Sequence, residues 1–112
     1  MASKVLIPLC DGDVAPRFDL ATEALVARLS DGTVLDERTV VLPHASADEL
    51  CRLVLTEGVS TVVCGGIEEE YFQYLGWKKT RVIDAVIGNA RRALAQLADG
   101  RLQPGQVLPE TR

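Results

Sequence analysis

The sequence predicts an α/β domain: a mixed five-stranded sheet with helices on its faces. Three observations carry that expectation. Short runs rich in β-branched residues alternate, in the second half of the chain, with segments whose apolar residues recur at helical spacing. Near the start, Asp31-Gly32 separates two strand-like runs, the strongest short-range signal for an antiparallel hairpin. With 112 residues, 47% hydrophobic and 25% charged, the chain has the size and balance of one globular domain with its own core.

The first strand is Lys4-Val5-Leu6-Ile7-Pro8-Leu9, leading into a loop at Cys10-Asp11-Gly12-Asp13. Pro8 lacks a ladder donor, so it belongs near the strand's end or at a bulge. Val14 to Asp19 has no clear period and reads as an ordered loop. Residues 24–29 and 33–42 form the hairpin strands. Ser46 caps a helix whose stripe is Ala47, Leu50, Cys51, Val54 and Leu55; Glu49 completes a capping box and Gly58 stops it. A fourth strand, residues 60–64, breaks at Gly65-Gly66. A second helix runs from Ile67 to Leu75, with Gly76 as its stop, and a fifth strand from Arg81 to Val86. Gly88-Asn89 opens a third helix, with Ala90, Ala93, Leu94, Leu97 and Ala98 facing inward. Residues 1–102 thus form a single domain and 103–112, with Pro104, Gly105 and Pro109, a C-terminal tail. The succession is β-β-β-α-β-α-β-α. A hairpin first and right-handed crossovers afterwards put the strands in the order 3-2-1-4-5.

Charge and composition exclude several classes. A net charge of −4, from 16 acids and 12 bases, opposes generic binding to nucleic acid or anionic membranes. No apolar run approaches the ~20 residues needed to cross a bilayer. The N-terminal segment has neither the length nor the flanks of a signal peptide, which points to the cytoplasm. Three cysteines is an odd number, none lies in a CxxC pair, and neither a disulfide framework nor a zinc site is indicated.

Ligands of open α/β sheets bind beyond the carboxyl ends of the strands, where the strand order reverses. Here that point lies between the first and fourth strands, which end in Cys10-Asp11 and Cys64-Gly65-Gly66. Two thiols at a glycine-lined crevice suit a soft metal or metal–sulfide ligand, with Cys10 and Cys64 as the metal ligands. They are equally the small buried hydrophobes that free cysteines usually are. Cys51, on the core stripe of its helix, is structural. Gly65 and Gly66 would let a ligand approach the backbone. The acids Glu68, Glu69 and Glu70 behind them repel anions. At the third helix, Arg91 and Arg92 lie in the first turn, where positive charge opposes the helix dipole. An anion at Gly88-Asn89 would relieve that conflict, with Arg17 reaching in from the first loop. The alternative is that these arginines pair with nearby acids. His44, the one histidine, is a loop residue with no assigned role. Trp77, beside Lys78-Lys79, reads as a packed aromatic rather than a stacking platform.

With these elements placed, the chain resembles the dinitrogenase iron–molybdenum cofactor biosynthesis family, the group of small nitrogenase accessory factor-like domains. The resemblance spans about residues 4 to 102. It rests on Ile7-Pro8 followed by Val14-Ala15-Pro16-Arg17-Phe18, on Asp31-Gly32, and on Val62-Val63-Cys64-Gly65-Gly66-Ile67. It continues through Leu75-Gly76 and Ala93-Leu94 to Gly100-Arg101-Leu102. The family often carries histidine where this chain has Arg17. The resemblance implies a ribonuclease H-like fold. It also implies binding or carriage of a molybdenum- or iron-containing sulfide cluster or its precursor, passed between donor and acceptor proteins. Such clusters are anionic, so arginines beside thiols suit one.

The expected function is therefore a non-enzymatic carrier or scaffold. Its cluster would be held by Cys10 and Cys64, with Asp11, Arg17, Gly65, Gly66, Gly88, Asn89, Arg91 and Arg92 around it. The alternative is a regulatory or protein-interaction module with no cluster. A two-metal nuclease needs converging carboxylates that the first and fourth strands lack. A cysteine hydrolase needs His44 beside a thiol.

Overall fold

The computed structural model describes residues 2–108. Strand β1 (Ser3–Cys10) turns at once into a two-residue strand β2 (Asp13–Val14), and a single 3-10 turn follows at Phe18–Leu20. The hairpin is β3 (Glu23–Ser30) and β4 (Thr33–Val41). Then come α1 (Ala47–Glu57), β5 (Thr61–Val63), α2 (Glu69–Trp77), β6 (Arg81–Ile83) and α3 (Ala90–Ala98). The sheet has six strands rather than the expected five. The main path is β4-β3-β1-β5-β6, and β2 pairs with β1 off that path.

The extra strand comes from the segment Cys10 to Asp13, which folds as a second Asp-Gly hairpin instead of a loop. Asp11 (φ 51°) and Gly12 (φ 85°) both take the left-handed region, as Asp31 (φ 50°) and Gly32 (φ 78°) do between β3 and β4. That is the type I′ geometry that matches strand twist. Pro8 is tolerated inside β1 because pairing to β5 covers only Val5 and Leu6. Beyond that point the Pro8 carbonyl accepts instead from the Ala15 N–H, at 2.8 Å.

The helices form where their caps and stripes place them. The Glu49 N–H donates to Ser46 Oγ at 3.2 Å, and Gly58 closes α1 in the left-handed region at φ 69°. The Glu49 side chain pairs with Arg52 rather than completing the box. Helix α2 starts later than expected, because Glu68 is its cap. The last strand ends at Ile83; Asp84–Val86, expected within it, bends away with Ala85 at φ 58°.

Each face of the sheet carries its own core. On one, Leu6, Val26 and Val62 pack under α1 and α2 with Leu50, Val54 and Leu75. On the other, Val5, Ile7, Leu25 and Val63 pack under α3 with Ala93 and Leu94. Residues 103–108, expected as the start of a tail, close this second core. Leu102 and Leu108 are buried, and the Leu108 N–H donates to the Ile87 carbonyl at 2.8 Å. The remainder of the expected tail lies outside the described residues. Among those described, no helix is long and apolar enough to cross a membrane.

Candidate functional site

The site is organised by the β1–β2 turn. Its backbone grips the start of α3: the Val14 N–H donates to the Gly88 carbonyl at 2.8 Å, and the Ala90 N–H to the Gly12 carbonyl at 3.1 Å. Asp13 and Asn89 form an antiparallel bridge. Gly88 has to be glycine here, because its φ is +134° and a Cβ would lie 2.7 Å from the Leu108 Cβ. A cavity of about 700 Å³ results. It is lined by Cys10, Asp11 and Asp13 from the turn and by Gly88, Asn89 and Arg92 from the α3 start; Ile87 and Val107 add apolar walls.

Five residues read from the sequence as one site do converge here: Cys10, Asp11, Gly88, Asn89 and Arg92. The others are elsewhere. Arg17 lines a neighbouring cavity of about 420 Å³ that shares Cys10 and Asp11, and it forms a two-pronged pair with Asp19 at 3.1 and 3.0 Å. Arg91 is turned away and pairs with Glu37 of β4. Of three expected arginines, one lines the cavity.

Cys64 is not part of it. The expected crevice between β1 and β5 is filled by the chain itself. Residues 15–18 lie across the β5 end: the Gly66 N–H donates to the Pro16 carbonyl at 2.7 Å, and the Phe18 N–H to the Gly66 carbonyl at 2.8 Å. Gly65 and Gly66 therefore serve this internal packing. A Cβ at Gly65 would meet the Ala15 oxygen at 2.4 Å. Beneath this cover Cys64 is fully buried in the core, whereas Cys10 is exposed. Burial, with the Asp84 charge adding to it, pushes the Cys64 thiol up to about 12. Buried under residues 15–18, Cys64 has no open approach for a ligand. Cys51 is buried on α1, as expected, and its thiol is pushed up to about 11 by burial and then by Asp48.

The cavity's chemistry is specific about what it can hold. The α3 N-terminus is already capped, since Asn89 Oδ1 accepts from the Arg92 N–H at 3.1 Å and Gly12 takes the Ala90 N–H. An oxyanion would find these donors used and would face Asp11 and Asp13. A soft guest differs in bonding to sulfur. Asp11 and Asp13 oppose its negative charge as they would an oxyanion's, while the Cys10 thiolate binds it directly and Arg92 and the α3 dipole offset part of that charge. Among the described residues no three His, Cys, Asp or Glu side chains are grouped to enclose a metal ion. The site thus offers one sulfur and a wall rather than a chelate. His44 lies exposed in the loop before α1, and Trp77, expected to pack, is 75% exposed. Sequence reading missed Asp13, Ile87 and Val107, although Asp11-Gly12 signalled the hairpin that brings Asp13 back.

No family model matches the sequence, and no curated protein matches it either. Solved structures do match. One is PH0822, with a TM-score of 0.82 at 19% identity over 90% of this chain and 93% of that one. Another is a provisionally named dinitrogenase from Methanocaldococcus jannaschii, with a TM-score of 0.74 at 21% identity over 92% and 94%. A third is a provisionally named NifB protein from Thermotoga, of the DUF35 family, with a TM-score of 0.69 at 19% identity over 97% and 99%. At these identities the likeness is one of fold, along nearly the whole length of each chain: this chain has the α/β fold of those proteins.

Proposed function

We propose that the protein is a carrier or scaffold for a molybdenum- or iron-containing sulfide cluster or its precursor. The cargo docks in the cavity between the β1–β2 turn and α3, with Cys10 as the single protein thiolate. The observation that carries this reading is the meeting of an exposed thiol, an arginine and a helix start in one open cavity of about 700 Å³. The provisional names of two fold neighbours point the same way. Attachment through one sulfur suits a cargo received from a donor protein and released to an acceptor, since thiol exchange at one point frees it. Arg92 offsets the cluster's charge, and Asn89 and Gly88 fix the helix start that adds to it. No step calls for turnover.

A second reading, a protein-interaction module without a cluster, draws on the lack of a chelating group and on the exposed Trp77. Anaerobic reconstitution with ferrous iron and sulfide, or with tetrathiomolybdate, separates the two. The carrier reading expects charge-transfer absorption that is lost in Cys10→Ser and kept in Cys64→Ala. A colourless, metal-free wild-type protein overturns it and leaves the module.

A further inference from the structure

The face of the sheet opposite α3 carries a second concavity, unrelated to the cavity at Cys10. It lies between α1 and α2 and measures about 610 Å³. Both helices cross back over strands parallel to β5, so they run in the same direction and their N-termini share one end of the groove. At that end stand Asp48, in the first turn of α1, and Glu70, in the first turn of α2. Their combined field is felt by Tyr71, whose phenol is pushed up chiefly by Asp48. Midway along α1, Arg52 also lines the groove and pairs with Glu49; the other end is apolar, with a basic pair just beyond the lining. Leu55 is 42% and Trp77 75% exposed. Beside them the Lys78 ammonium lies 5.6 Å from the centre of the Tyr74 ring, with Lys79 next in the chain.

Leaving an indole and a leucine this open forgoes burial worth roughly 25 cal/mol per Å². Apolar groups that line a groove and are rimmed by charge mark a contact surface. We propose that its occupant is a second copy of this chain, set antiparallel across the groove on a two-fold axis near Tyr74. The distribution of charge selects that partner. A two-fold rotation brings the Asp48–Glu70 end of one copy over the Lys78–Lys79 end of the other, twice. It also covers both Trp77 rings with the facing groove. A surface that complements itself in this way closes as a dimer and leaves nothing to propagate. The 700 Å³ cavity at Cys10 stays open, because it is built from the β1–β2 turn and the start of α3 on the other side of the sheet.

Sedimentation equilibrium from micromolar to near-millimolar protein tests this, with Trp77 fluorescence as a second readout, since it is the chain's one tryptophan. Wild type is expected to dimerise with a blue shift in emission. Lys78→Glu with Lys79→Glu, and separately Asp48→Lys with Glu70→Lys, should each weaken the dimer about tenfold or more. Mixing the two variants should restore a heterodimer, since each then presents the other with opposite charge at both ends. Circular dichroism confirms that each variant is folded, and Trp77→Ala supplies an uncharged test of the same contact. Wild type that stays monomeric throughout overturns the proposal. So does a dimer that none of these substitutions moves, or a charge-reversed pair that fails to recombine.

Discussion

Cys10 ends a strand in the open, Cys64 lies under the chain segment 15–18, and Cys51 faces the core from α1. Their reactivity should divide in the same way. Under native conditions a thiol reagent should modify Cys10 alone, and all three thiols should react only after denaturation; mass spectrometry of the modified peptides checks this. Fast native labelling of Cys64 would show that the segment over it opens. The cover itself depends on Gly65. Because a Cβ there would sit 2.4 Å from the Ala15 oxygen and 2.7 Å from the Pro16 oxygen, Gly65→Ala should destabilise the fold by roughly 3 kcal/mol, read as a lower urea midpoint. The strand-end positions of Cys10 and Cys64 were legible from apolar runs and glycines. Their opposite exposures were not, because the cover over Cys64 comes from a stretch with no period of its own.

At the scale of elements, α1 is tied to the sheet through one acid at its end. Glu57 Oε1 accepts from Arg38 of β4 at 2.5 Å and from Lys4 of β1 at 3.3 Å. The Arg38 hydrogen bond first, and Lys4 second, hold the Glu57 carboxyl below its ordinary 4.5. Its folded value is thus lower than its unfolded one. The stabilisation is complete above pH 4.5 and is lost as the pH falls through the lowered value. Glu57→Gln should therefore be less stable than wild type near neutrality, and the two should converge in acid; urea melts on both sides of that pH measure the difference. A constant gap at all pH values would show that the carboxylate's charge contributes nothing. The caps of α1 were readable because Ser46 and Gly58 act locally, and so was the Asp31-Gly32 hairpin. The Asp11-Gly12 hairpin carries the same signal. It was obscured because β2 is only two residues long, too short to show a strand's alternation. Pairing with acids was the alternative open to the arginines Arg17 and Arg91. Arg17 takes it with Asp19, two residues on, while Arg91 takes it with Glu37 of β4, a partner that only tertiary placement supplies; neither arginine lines the cavity at α3.

For the whole molecule, the sheet separates two surfaces, each with its own proposed task. The α3 side and the β1–β2 turn form the proposed cargo cavity, while the α1–α2 side presents the proposed dimer groove. The α/β class followed from the alternation of short strands with amphipathic helices, and it is shared with structures at about one-fifth identity. Pattern, rather than particular side chains, specifies this fold. Pattern could not show that the crevice between β1 and β5 is closed from within and that the open cavity lies one step along, at α3. On the proposed reading, a sulfide cluster in that cavity must cover the Cys10 sulfur. The most direct test is the alkylation rate of Cys10 with increasing tetrathiomolybdate under anaerobic conditions, followed by mass spectrometry. The account predicts saturable protection of Cys10, weakened in Arg92→Ala. Alkylation of Cys10 at an unchanged rate in saturating thiomolybdate would contradict it.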